Sequence, residues 1–279
     1  MQLNRRSLFR FLCVFLLNFL AGCEQRGESS SHPAIAVTNT YLQCAVLDVA
    51  GGDADVVVLS PPGMCPGHFD ISPQQVSSLS NCRLLIRADF QERIEDSLGR
   101  MKDRGLEVVS VSFADGMCVP DTYIEVCKET IAGLQKYGID GYAAKPGRLL
   151  EISRRLRNLS AEMKEKLSDA GLAEADVLCS VHQAAFAKWL GLNVAGTFVG
   201  SDMETAGHLQ DVLESCADRD IRFVIANMQE GTDLARALSE RLDCPIVVFS
   251  NFPEIQPGPD NFDALLRSNL QNLLEASGR

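Results

Sequence analysis

The sequence predicts an α/β protein of two lobes, each a parallel sheet with helices on both faces, joined by one long backbone helix. Three observations carry this. Short apolar runs bounded by Gly, Pro and polar residues alternate with amphipathic stretches through both halves of the chain. Such alternation marks βα units, whose parallel strands need helical crossovers. Between the halves, over residues 146–170, the pattern gives way to one long polar segment with a single apolar stripe.

Residues 1–22 precede the fold. Arg5, Arg6 and Arg10 give a positive start and Leu8 to Leu20 is largely apolar, which reads as an export signal. The run Asn4-Arg5-Arg6-Ser7-Leu8-Phe9 also has the look of a twin-arginine signal. Leu20-Ala21-Gly22-Cys23 has the form of a lipoprotein processing site, with Cys23 the lipid-bearing residue. The apolar run is short for a membrane-spanning helix. Residues 23–33 are polar and Ser-rich and read as a tether.

The first lobe is expected over 34–145. Ile35-Ala36-Val37-Thr38 is its first strand, and Tyr41 to Val49 a helix stopped by Gly51-Gly52. Asp55 to Ser60 is a second strand. Ser72-Pro73 reads as an N-cap with proline at the first helical position. Leu84-Leu85-Ile86 is a third strand, Gln91 to Arg104 an amphipathic helix, and Glu107 to Phe113 a fourth strand. Asp121 or Thr122 is expected to cap the helix that runs to about Tyr137. The connecting helix, 146–170, places Leu149, Ile152, Leu156, Leu159, Met163 and Leu167 on one stripe. At about 1.5 Å per residue it spans about 35 Å.

The second lobe, 171–279, repeats the pattern. Strands are expected at 176–181, 194–199, 222–226 and 245–250, with helices at 205–218, 232–242 and 262–276.

The formal net charge is −11. An acidic chain argues against nucleic acid and mildly favours cationic ligands. Of the ten cysteines, Cys13 leaves with the signal and Cys23 carries lipid. The rest show neither a CxxC pair nor the spacing of a small stapled domain.

Chemistry gathers at strand ends, where open α/β sheets place ligands. Met64, Cys65 and His68 follow the second strand, and Met117 and Cys118 the fourth. His182 opens a helix in the second half, and Asn227 to Glu230 follow another strand. The chain has four histidines, and two of them stand at strand ends of opposite halves. Imidazole and sulfur suit zinc or copper better than calcium or magnesium. Each feature also has a plainer reading. The Pro- and Gly-rich loop around His68 could be a rigid turn, the methionines loop packing, and Cys65 and Cys118 a disulfide.

Two motifs carry a resemblance. One is Pro62-Gly63 through His68-Phe69 to Ser72-Pro73; the other is Ser180-Val181-His182-Gln183-Ala184-Ala185-Phe186 with Gly191-Leu192. With the export signal, the long helix and Asn269-Leu270, they resemble the zinc- and manganese-binding receptors of bacterial ABC importers, over residues 34 to 276. The resemblance implies a binding protein and not an enzyme, with a transition-metal ion as cargo: zinc first, copper or manganese as alternatives. It implies an ABC permease and its ATPase as partners, a monomer, and membrane attachment through the N-terminal lipid alone. The location would be exported, as a periplasmic or cell-surface lipoprotein. It implies His68 and His182 as ligands. The middle histidine of that pattern would fall within Asp115 to Cys118, and a glutamate or histidine at about Asn227, where this sequence has neither. The expected metal donors are therefore His68 and His182 with Cys118, Met117, Cys65 and Asn227 as candidates, a softer set than the family's. The alternatives are a degenerate site that binds a metal chelate or organic ligand, a scaffold, or an exported thiol enzyme using Cys65 or Cys118.

Overall fold

The computed structural model describes residues 34–51, 54–60, 71–113, 115–139, 142, 144–200, 206–256 and 260–278. His68, Cys65, Met64 and Cys23 lie outside them.

Two four-stranded, all-parallel sheets form the frame. The first contains β1 (Ile35–Val37), β2 (Val56–Val58), β3 (Leu84–Ala88) and β4 (Glu107–Val111) in the order β2-β1-β3-β4. The second contains β5 (Asp176–Ser180), β6 (Asn193–Phe198), β7 (Phe223–Asn227) and β8 (Ile246–Phe249) in the order β6-β5-β7-β8. The orders match, so the lobes repeat one topology. The central pairs are in register at Ile35↔Leu84 and Val177↔Phe223.

Helices α1 (Thr40–Ala50) and α2 (Pro73–Leu79) follow the first two strands. Asn39 caps α1 by accepting the Leu42 N–H, and Gly51 ends it at φ 104°, a left-handed conformation that glycine adopts without strain. Ser72 and Gln75 form a reciprocal capping box on α2, with Pro73 inside it. The expected helix over Gln91–Arg104 is instead a 3₁₀ segment, Asp89–Ser97, and a single turn, Gly99–Lys102. Gln91 leaves helical geometry (φ −101°, ψ 26°) because its side chain turns inward. There its amide oxygen accepts from Asn39 Nδ2 at 3.2 Å and from the Ala88 N–H at 3.4 Å.

α3 (Pro120–Lys136) starts with Pro120 in its first turn and has no side-chain cap; Asp121 supplies only a first-turn negative charge. The connecting helix α4 (Arg148–Asp169) has 22 residues, about 33 Å. α5 (Ala184–Leu190), α6 (Ala206–Ser215), α7 (Asp233–Leu242) and α8 (Asn261–Ala276) complete the second lobe.

Strand alternation sorts the apolar residues into three layers. Ala36 and Leu85 face an outer cluster with Leu79, Ile94 and Met101. Leu178, Val224 and Ala226 face another with Phe198 and Leu238. The opposite faces, Ile35, Val37, Leu84, Val177, Phe223 and Ile225, share one central core with the α4 stripe Ile152, Leu156, Leu159, Met163 and Leu167. The lobes thus form one compact unit, Pro33–Arg279. Tyr123 of α3 stacks on Phe262 of α8 at 3.9 Å, and Tyr41 of α1 meets both rings edge-on. Among the described residues no helix is long and apolar enough to cross a membrane.

Candidate functional site

β5 and β7 are neighbours, so their C-terminal ends deliver two short turns side by side. After β5 the Ser180 hydroxyl oxygen accepts the His182 N–H at 3.3 Å, which tightens Val181–Gln183 into a 3₁₀ turn. That turn lifts the His182 side chain into solvent, 62% exposed. After β7 a second 3₁₀ turn, Met228–Glu230, ends at Gly231. Its Glu230 side chain is 13% exposed and brings Oε1 to 3.1 Å from His182 Nε2. Its other oxygen accepts from Ser180 Oγ at 2.6 Å. Gly200, beyond β6, makes room for this carboxylate: a Cβ there would lie 2.7 Å from Glu230 Cβ.

Burial pushes the Glu230 carboxyl up, but hydrogen bonds from His182, Ser180 and Asn227 together outweigh it and hold the group below its ordinary range. His182 is raised, chiefly because its ring N–H donates to Glu230, with burial opposing. Each group thus favours the charged form of the other. Two donors about 2.1 Å from one ion, at angles between square and tetrahedral, stand about 3.0–3.4 Å apart. The observed 3.1 Å suits two ligands of a common ion once the proton leaves.

Beneath the pair lies a buried amide layer. Gln183 Nε2 donates to Asn227 Oδ1 at 3.1 Å and to Asn251 Oδ1 at 3.0 Å. Asn251 Nδ2 returns to the His182 carbonyl at 3.4 Å, and the Asn251 N–H donates to Gln229 Oε1 at 3.1 Å. Gln229 Nε2 donates to Ser250 Oγ at 3.0 Å. Asn269 of α8 pins Ser250 with both halves of its amide, at 2.9 Å each. These contacts fix the two turns from below.

The first lobe enters this layer through Cys118. Met117 is partly buried against the central core. Cys118 is wholly buried, at φ 63°, and its thiol donates to the Ser250 carbonyl at 3.3 Å, with Asn251 Oδ1 at 3.7 Å. Burial pushes that thiol far up, so it stays protonated. Gly116, at φ 90°, sits so close to the second lobe that a Cβ would lie 2.4 Å from Ala185 Cβ. Asn227 faces two ways, accepting from Gln183 and bonding Glu230.

Of the sequence candidates, the structure sets Asn227 beneath His182, binds Cys118 to backbone and packs Met117 into the core. Glu230, the carboxylate that meets His182, was not among the sequence candidates. The signal for it was its position at the same strand end as Asn227, three residues on, before a turn-making glycine. Among the described residues no group of three or more His, Cys, Asp or Glu side chains is placed to hold a metal.

No family model and no curated protein sequence matches the chain. Solved structures do. A crystal structure of ZnuA shares 16% identity at a TM-score of 0.68, covering 87% of this chain and 98% of its own. A Cd-bound periplasmic metal-binding protein from Candidatus Liberibacter asiaticus shares 13% identity at the same TM-score and coverage. Its Mn-bound form shares 12%, again at 0.68 and with the same coverage. This chain has their fold. The two-lobe architecture with a long joining helix is that of periplasmic metal-binding proteins, and His182 stands at a strand end of the second lobe within it.

Proposed function

We propose that this protein captures a transition-metal ion between its lobes and hands it to an ABC importer. The observation that carries the reading is the His182–Glu230 pair, with donors 3.1 Å apart at the ends of adjacent strands. His182 Nε2 and a Glu230 oxygen are the second lobe's ligands, and His68, on the sequence motif alone, is the first lobe's. Asn227 and Ser180 hold Glu230. Cys118 joins the lobes beneath the site, so its sulfur leaves the ligand set, while Cys65 lies outside the described residues. Nitrogen and carboxylate oxygen favour zinc, with manganese next, over copper(I), which prefers sulfur. The chain binds and does not catalyse. Its leader and Cys23 make it an exported, lipid-anchored receptor, and its partners are a permease and ATPase in the membrane beside it.

The test is calorimetric titration of leader-free protein with zinc, manganese and copper(I). One site for zinc, weakened at least about 100-fold in His182→Ala and in Glu230→Gln, is expected. Unchanged affinity in both variants would overturn the reading. A second reading is favoured by one fact: only two donors converge among the described residues. A metal chelate that brings its own donors would complete such a site, and would bind where the free ion does not.

A further inference from the structure

We propose that the chain folds before export, and that its export partner is a translocon that carries folded proteins and reads the arginine pair Arg5-Arg6. This rests on the reading that the protein is exported. Two independent observations support it.

The first is the state of the thiols. Cys44, Cys82, Cys118, Cys127, Cys179 and Cys216 are buried, Cys244 is half-buried, and none of them is in a disulfide. They are built into the fold as thiols. Cys44 Sγ lies 3.3 Å from the Tyr123 hydroxyl oxygen, Cys118 donates to Ser250, and Cys179 lies in a central strand. Once folded the six buried ones are protected, because burial keeps oxidants out; it also raises the thiols of Cys44, Cys82, Cys118, Cys127 and Cys179, Cys44 up to about 12 and Cys82 to about 11. Unfolded, the same chain has none of this protection. A disulfide donor of an oxidising compartment would take two electrons and two protons from a thiol pair, leaving a new S–S bond and a reduced donor. Any such bond between these residues is non-native. A chain threaded unfolded into that compartment would be trapped before its core closed, whereas a chain folded in a reducing cytoplasm crosses with its thiols covered.

The second observation is the leader itself. Asn4-Arg5-Arg6-Ser7-Leu8-Phe9-Arg10 sets paired arginines directly before the apolar run.

The test uses the full chain in a bacterium that has both export routes. It compares wild type, the double variant Arg5→Lys/Arg6→Lys, and a chain whose residues 1–22 are replaced by a leader for unfolded export. Readouts are processing, accessibility to external protease, and thiol alkylation on non-reducing gels. Expected are wild type exported with free thiols, loss of export in the lysine variant despite its kept charge, and disulfide-linked or degraded product from the exchanged leader. Undiminished export of the lysine variant, or reduced folded protein from the exchanged leader, overturns the proposal. Failure of wild type to leave the cytoplasm overturns the export reading beneath it, a result told apart because all three chains then stay inside.

Discussion

Glu230 and His182 tune each other. The carboxylate raises the imidazole by accepting its N–H, while the imidazole and Ser180 hold the carboxylate ionised against its burial. A metal must displace the imidazole proton, so apparent zinc affinity is expected to fall with pH below the raised value of His182, by up to about tenfold per unit. In Glu230→Gln maximal affinity drops, and the onset of this loss moves toward lower pH, because the group that raised His182 is gone. Titrations over a pH series with both proteins check it. An onset at the same pH in the two proteins would mean that the pair does not set the site's proton competition. Gly116 offers a second residue-scale prediction. Gly116→Ala adds a Cβ 2.4 Å from Ala185 and takes a side chain to φ 90°, so it should cost about 1–3 kcal/mol in chemical denaturation. The place of His182 at a strand end of the second half was legible from its motif. The pairing of Glu230 with it was not, because nothing local distinguishes Glu230 from Asn227 until the β7 turn brings one inward and the other beneath it.

At the scale of elements, α4 is the member that ties the lobes. Its Arg155 bonds Asp48 of α1 at 2.7 Å, Asp263 of α8 at 3.1 Å and Asp260, just before α8, at 2.8 Å. Asp48 is 1% exposed and also accepts from Tyr123. Arg155→Ala strips this buried carboxylate of its main partner, leaving Arg148 at 3.3 Å, and should cost about 3 kcal/mol or more in urea unfolding. A loss no larger than that of an exposed ion pair, below about 1 kcal/mol, would show the clamp to be incidental. The length and stripe of α4 were legible from sequence, since five apolar residues at helical spacing can bury only one face. Its clamp was not, because Asp48 and Asp263 lie about a hundred residues to either side. The failed helix over 91–104 has a local cause: amphipathic spacing predicted a continuous helix, but Gln91 satisfies buried groups of Asn39, the cap of α1, and of Ala88 on β3, and the turn after Leu98 restarts at Gly99.

For the whole molecule, one central core and one clamp make the lobes a stiff pair. Under the proposed function, cargo capture is a local ordering of strand-end turns with a small tilt, not a wide closure. The clamp also gives stability a pH dependence. Burial, with Asp260 and Asp48 nearby, pushes Asp263 up to about 6 although Arg155 opposes it. A carboxyl raised on folding binds more protons folded than unfolded between its ordinary value of 3.8 and about 6. Stability therefore falls as pH rises through that window. Asp263→Asn should flatten the slope, checked by melting temperature from pH 4 to 7. An unchanged slope would assign it to other groups. The repeat of strands was legible, because each is a short apolar run bounded locally by turn and polar residues. The docking of Cys118 on the second lobe depends on contacts between distant segments, which no pattern in one sequence displays.

The most direct test of the central claim is anomalous diffraction from crystals grown with zinc, collected on both sides of the zinc absorption edge. The account predicts one strong peak about 2.0–2.2 Å from both His182 Nε2 and a Glu230 oxygen, with Cys118 remote from it. A zinc peak seated on Cys118, or no peak near His182 and Glu230, would contradict it.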